Sequence, residues 1–241
     1  MAKQYAHLAD YYERFFPVTP VTIAFLETQF KTAKTLLDVG CGTGLHALEM
    51  AKLGKIVIGI DPDQAMLSIA KQRVTTIGSL CFAEGRLAAI GLTGVFDGIM
   101  VLGNTLPHVA DETELELALR ELYDHLEEGG TLVLQLINYD KVFADTLTEL
   151  PPLVEGSVSL RRLYDHRPPY VLFTTILDEG EKQHTQTLQL LGITQAMLHK
   201  VLEKVGFTAF EAYGDFSGKP YAIQTDLRYI LVARKPQKGC D

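Results

Sequence analysis

The residues best suited to chemistry stand in one short run, Asp38-Val39-Gly40-Cys41-Gly42-Thr43-Gly44, with a further acid at Asp61. An apolar stretch, Thr35–Val39, leads into the glycines, and an amphipathic stretch, Leu45–Leu53, follows them. Glycines in that setting let the backbone turn sharply and approach a ligand with no side chain in the way. Asp61 closes the next apolar run, where a carboxylate can accept hydrogen bonds from ribose hydroxyls. Pro62 then suits the first turn of a following helix. Strand, glycine loop, helix and acid together indicate an adenosine-bearing cofactor, either a dinucleotide or another of that class. A dinucleotide fingerprint puts its third small residue at position 45, where this chain has Leu45.

A second group follows the fourth apolar run, in Gly103-Asn104-Thr105-Leu106-Pro107-His108. His108 has a ring that titrates near neutrality, so it is a candidate general base for an amine or hydroxyl acceptor, or else a structural histidine beside a helix. Tyr12 and Asn104 are candidates to orient the acceptor. Cys41, Cys81 and Cys240 are too few and too scattered for a disulfide framework or a zinc site. The histidines show no ligand spacing, so no metal site is expected. Further on, Arg161, Arg162, His166, Arg167, Tyr170 and His184 either meet an acidic or phosphorylated substrate or lie on a solvated sheet face.

The Asp38–Gly44 run resembles the first motif of the class I S-adenosylmethionine-dependent methyltransferases, and the likeness extends from Tyr5 to Lys235. It implies S-adenosyl-L-methionine as cofactor, held by Asp38, Gly40, Cys41, Gly42, Gly44, Asp61, Pro62, Met66 and Leu102. Members usually carry a Gly-Asp pair after the third strand whose acid lies near the adenine amine. Here Gly85-Arg86-Leu87 stands at that place, so a donor-only guanidinium replaces the acid, and either backbone groups of Gly85 to Leu87 or the Glu84 carboxylate is left to do its work. The segment Tyr5–Glu13 is similar to a tyrosine-bearing helix that covers the cofactor in small-molecule members, with Tyr5 and Tyr12 as the matching residues. Gly103–His108 resembles the fourth motif of small-molecule N- and O-methyltransferases. The Asn/Asp-Pro-Pro-Tyr signature of nucleic-acid adenine enzymes is missing from that place; Pro168-Pro169-Tyr170 lies elsewhere and follows Arg167. The implied reaction is in-line displacement at the sulfonium methyl, onto nitrogen or oxygen of a small molecule.

These residues must be held by strands that alternate with helices. Candidate strands are Thr35–Val39, Ile56–Ile60, Ser79–Ala83, Val95–Leu102 and Thr131–Ile137, separated by candidate helices Leu45–Leu53, Asp63–Ile77 and Asp111–Glu127. Gly129-Gly130 is expected to stop the last helix. Two helices, near Tyr5–Phe15 and Pro20–Phe30, precede them. Ser157–Tyr164, Tyr170–Leu177 and Thr185–Leu191 read as an antiparallel meander. A helix from Thr194 to Val205 leads to closing strands near Phe207–Tyr213 and Leu227–Ala233. The expected fold is α/β: a doubly wound, mostly parallel, seven-stranded Rossmann-like sheet with an antiparallel C-terminal hairpin. Residues 1–241 form one domain, with N-terminal helices over 1–33 and a small antiparallel β insert over 150–192 as a substrate lid.

The chain of 241 residues is 47% apolar and 22% charged, the make-up of a globular domain. Its formal charge of −8 opposes a phosphate-backbone partner, so no nucleic acid is expected. No run reaches the roughly 18 apolar residues of a membrane span. A cytoplasmic enzyme is expected, with a homodimer through the β insert as one possible assembly. Two other classes stay open: an NAD(P)-dependent oxidoreductase, and a non-catalytic S-adenosylmethionine-binding regulator.

Overall fold

The computed structural model describes residues 8–74 and 78–237. The chain passes through α1 (Tyr12–Phe15), α2 (Pro20–Gln29), β1 (Thr35–Val39), α3 (Leu45–Lys52), β2 (Ile56–Asp61), α4 (Gln64–Lys71), β3 (Leu80–Glu84) and β4 (Phe96–Val101). It continues through α5 (Glu112–Asp124), β5 (Leu126–Ile137), α6 (Tyr139–Ala144), β6 (Glu149–Glu155), β7 (Val158–Arg167), β8 (Tyr170–Asp178) and β9 (Gln183–Leu191). It closes with α7 (Gln195–Val205), β10 (Thr208–Tyr213) and β11 (Arg228–Arg234).

Seven strands form one sheet in the order β10-β11-β5-β4-β1-β2-β3. The five from β3 to β5 are parallel, and β11 and β10 close the β5 edge antiparallel. The two-residue period of a strand divides the core between the faces of this sheet. Leu37 and Val39 of β1 pack with Leu115, Leu119, Leu198 and Leu202 of α5 and α7. Leu36 faces the other way, among Phe25, Leu26 and Phe30 at α2 and Ala47, Met50 and Leu67 on α3 and α4. From β1 the chain winds outward through β2 and β3, then returns to β4 on the far side. Neighbouring strands that lead away in opposite directions leave a crevice at their carboxyl ends, which is where open α/β sheets bind ligands.

Helix ends follow local chemistry. Thr19 caps α2, its Oγ1 accepting the Thr22 N–H, with Pro20 in the first turn. Asp111 caps α5 through the Glu114 N–H. That helix stops at Asp124, earlier than Gly129-Gly130 suggests, because β5 already begins at Leu126, opposite Phe96. The glycine pair instead lies within β5 as an irregularity, where the Gly129 N–H donates to the Lys235 carbonyl and the Gly130 carbonyl accepts from Lys235. Helix α4 ends at Lys71 with Gln72 as its C-cap, and residues 75–77 of the expected helix lie outside the described residues. No helix among the described residues is long and apolar enough to cross a membrane.

The insert is a four-stranded antiparallel sheet, β6-β7-β8-β9, one strand more than its pattern suggests. Pro151 and Pro152 hide β6 in the sequence. They fall where the register slips between the Leu150–Arg162 and Leu153–Leu160 pairs, on an edge strand where missing N–H groups cost little. The element α6, capped by Asn138, is also additional. It docks the insert through a cluster of Tyr139, Val142, Leu150, Tyr164 and Val171. Leu8 and Phe15 pack against Val158, Leu160 and Leu177 of the same sheet.

Candidate active site

The glycine loop leaves the end of β1 and is fastened to the end of β2. The N–H groups of Gly40 and Cys41 both donate to the Ile60 carbonyl, at 2.8 and 3.0 Å. Asp61 holds the tip, its Oδ2 accepting the Gly42 N–H at 2.8 Å and its Oδ1 the Asp63 N–H at 2.8 Å. Gly40 and Gly44 have left-handed backbones, and a Cβ there would strike Thr105 and Phe82 respectively. Gly42 is left-handed too, at φ +54, but has more room: a Cβ there would stand 3.7 Å from the Tyr12 ring, on the cavity side of the loop. The loop therefore needs glycine for close packing on its inner side and for access on its outer side.

Asp38 is 2% exposed, and its Oδ2 is buried with no hydrogen-bond partner. Burial, then the nearby Asp61 charge, pushes its carboxyl up to about 7, against the pull of the Ala47 N–H. Asp61 is raised as well, chiefly by burial. Cys41 is buried and its thiol is pushed well up by burial, so it is a neutral wall residue. Burial followed by the Asp61 and Asp38 charges pushes the Tyr12 phenol up to about 12. Glu13 beside it pairs with Arg73, whose Nε donates to the Thr43 carbonyl and ties α1 to the glycine loop.

The loop after β4 forms the opposite wall. Asn104 has φ +64 and is fixed at both ends of its amide: Oδ1 accepts the Ile137 N–H at 2.9 Å and Nδ2 donates to the Tyr139 hydroxyl at 3.0 Å. Gly103 donates its N–H to Gln135 Oε1 at 2.8 Å. His108 follows on a short turn, and burial lowers its ring to about 4. His46, at the start of α3, is lowered to about 4 for the same reason.

These walls enclose a cavity of about 640 Å³. Its roof is the insert sheet, which contributes Leu160, Arg162, Tyr164, Phe173 and Thr175. Residues 36–130 match a family model described as a methyltransferase domain. The glycine/sarcosine N-methyltransferase of Aphanothece halophytica is 27% identical over 214 residues, spanning 84% of this chain and 77% of its own. The chain is an S-adenosylmethionine-dependent methyltransferase. Two solved structures share its fold. The CcbJ methyltransferase from Streptomyces caelestis has a TM-score of 0.82 at 21% identity, covering 95% of this chain and 96% of that one. CalS10 with bound S-adenosylmethionine, an amino pentose methyltransferase from Micromonospora echinaspora, gives 0.70 at 19% identity, covering 95% and 96%.

The methyltransferase gathers most of the expected site residues around this one cavity. Tyr12, Asn104 and His108 line it, as do Asp38, Gly40, Cys41, Gly42, Asp61, Met66 and Leu102. Gly44 and Pro62 do not; Gly44 packs against Phe82. Gly85, Arg86 and Leu87 also lie outside the cavity, and Arg86 is exposed, its backbone bridging Ala89. Tyr5 lies outside the described residues. Pro168 and Pro169 form the β7–β8 turn, Tyr170 opens β8, and none of the three lines the cavity. Among the described residues, no cluster of His, Cys, Asp or Glu is grouped to hold a metal ion. The residues suit the cofactor on two counts: the glycine cradle meets the cavity at Gly42, and Asp38, which lines the same cavity, has a buried carboxyl oxygen without a partner that a cationic group would satisfy. Of the roof residues, sequence reasoning named Arg162 and missed Leu160, Tyr164, Phe173 and Thr175, although Leu160, Arg162 and Tyr164 stand two apart, the period of one strand face.

Proposed function

We propose that this methyltransferase transfers the methyl group to the nitrogen of a small amine bound between the glycine loop and the insert. The observation that carries the choice of nitrogen is His108, the histidine on the wall after β4: burial lowers its ring to about 4, so it is a weak base, better suited to orienting an acceptor than to stripping a hydroxyl. A neutral amine already has its lone pair. The names of the relatives agree, one acting on glycine and sarcosine and another on an amino pentose.

When bound, S-adenosylmethionine supplies a methyl carbon made electrophilic by its sulfonium sulfur. The chain's own task is placement, and alignment of reacting groups removes several kcal/mol of barrier. In this reading Asp61 takes the ribose hydroxyls, Asp38 faces the cationic end, and Met66 and Leu102 supply apolar contacts. Gly85–Leu87 lie outside the cavity but directly follow β3, and their backbone groups remain the expected partners of an adenine edge that reaches past its rim. His108 accepts an N–H of the acceptor and turns its lone pair toward the methyl. Tyr12, protonated and lying over Gly42, shuts water out of the gap between α1 and the loop. The insert closes the acceptor pocket as a lid. Cytoplasmic residence suits the free thiols of Cys41 and Cys81. The β6 edge, where Val154 is 66% exposed, is the place for a homodimer contact.

The test is the pH dependence of the rate with one accepted amine. The rate should follow the amine's own deprotonation, with no inflection near the usual histidine range. An inflection there that vanishes in His108→Gln would make His108 a base and undo the reading.

A further inference from the structure

The basic side chains on the strands of the insert fall into two kinds. Arg161 is paired with Glu149, Arg167 with Asp165 and His184 with Glu179, and His166 sets Nε2 2.6 Å from the Leu147 carbonyl. These are satisfied on the surface of the sheet. Arg162 is not of this kind. It lies on the cavity face of β7 between Leu160 and Tyr164, with Thr175 of β8 directly across from it. An otherwise apolar roof thus carries an arginine and a threonine side by side.

Arg162 donates through Nη2 to the Pro151 carbonyl at 2.9 Å, and its guanidinium carbon is 6.0 Å from the centre of the Phe16 ring. No carboxylate among the described residues pairs with it, and its Nε is buried without a partner. Arg228, exposed at the head of β11, borders the same cavity. A partly desolvated guanidinium without a counter-charge is costly to keep, unless a ligand completes it. The acidic lining lies elsewhere, Asp38 and Asp61 at the glycine loop and Asp215 in the segment after β10. The cavity is therefore acidic at the cofactor end and basic under the roof.

We infer that Arg162, helped by Arg228, is an anion site for the acceptor, and that the amine to be methylated also carries a carboxylate. This rests on the amine reading above. One guanidinium fork matches one carboxylate, whereas a phosphate dianion would bring more negative charge into a cavity that already holds Asp38 and Asp61.

Calorimetric titration of the full chain saturated with S-adenosylhomocysteine tests the inference. The probes are ω-amino acids of increasing chain length, the amino alcohols of the same lengths, and inorganic phosphate. The wild type should bind at least one amino acid about tenfold or more tighter than its alcohol. Arg162→Met should erase that preference while keeping its affinity for S-adenosylhomocysteine. The exposed Arg228→Gln should reduce the preference by less, and it keeps the test open should Arg162→Met fold poorly. Equal binding of acids and alcohols overturns the inference and leaves the amine reading intact, as does a preference that survives Arg162→Met. Tighter binding of phosphate than of any amino acid also overturns it. Loss of S-adenosylhomocysteine affinity in Arg162→Met, with the acid preference unchanged, would assign the arginine to the cofactor's own carboxylate and overturn it. An Arg162-dependent acid preference with the methyl found on oxygen would sink the amine reading alone.

Discussion

Asp61 holds the Gly42 N–H at 2.8 Å, so the acid assigned to the ribose also shapes the glycine loop. Its other oxygen accepts from Asp63, which in turn caps α4 through the Ala65 N–H. Asp61→Ala should lower S-adenosylhomocysteine affinity about 10- to 100-fold, the cost of hydrogen bonds to a charged group. It should also lower the melting temperature of the free protein, since two backbone donors lose their acceptor. Asp61→Asn keeps one acceptor but turns an amide NH2 toward the other donor, so it should be impaired as well. Calorimetry with thermal unfolding checks both effects, and unchanged affinity would make Asp61 purely structural.

Asp38 should trade stability for binding. Its carboxyl is held up to about 7 in the folded chain, above the ordinary value of about 3.9 in an unfolded one. Between those values the folded state binds the extra proton. Its stabilising contribution is therefore full at low pH and is lost as pH rises through about 7. Asp38→Asn should melt higher than the wild type above about pH 7 and lose that advantage as pH falls toward about 4. It should bind S-adenosylmethionine more weakly at neutral pH. Melting curves across pH decide the matter, and a gap that widens on acidification would contradict it.

The Tyr12 ring covers Gly42, and its hydroxyl would stand 3.8 Å from a Cβ at Gly103. Tyr12→Phe keeps the cover, whereas Tyr12→Ala opens a hole over the loop. The alanine variant should lose roughly tenfold or more in kcat/KM, about 1.4 kcal/mol of transition-state stabilisation. The phenylalanine variant should lose much less. Equal losses would show that the hydroxyl, not the ring, matters.

His108→Ala should lower kcat and raise KM for the acceptor, while leaving S-adenosylhomocysteine affinity unchanged. His108→Gln, which still offers an acceptor, should retain more activity than His108→Ala. Steady-state kinetics beside calorimetry separate the two effects. A parallel fall in cofactor affinity would place the ring in the cofactor site instead.

The glycine loop was legible because its backbone leaves no alternative: residues at Gly40 and Gly44 with any side chain would strike Thr105 and Phe82. The alternating strands and helices of the main sheet were legible for a similar reason, since period and punctuation agree there. Gly129-Gly130 misled because a glycine pair that ends a helix and one that bends a strand look alike in sequence. Strand β6 was hidden by Pro151-Pro152, which only an edge position tolerates. Asn104 was readable as a cavity residue, yet its pinning by Ile137 and Tyr139 depends on pairing between β4 and β5 that no local pattern reports. For Arg162 the sequence left two readings, a substrate contact or a solvated face, and what separates it from Arg161 and Arg167, each of which holds an acid, is cross-strand pairing that no local pattern reports.

The most direct measurement is the mass and position of the product formed with methyl-labelled S-adenosylmethionine and a panel of small amines paired with their alcohol analogues. The expected result is a single labelled methyl on nitrogen of an amine, with S-adenosylhomocysteine formed in equal amount. Label on oxygen, or transfer to alcohols as readily as to amines, would contradict it.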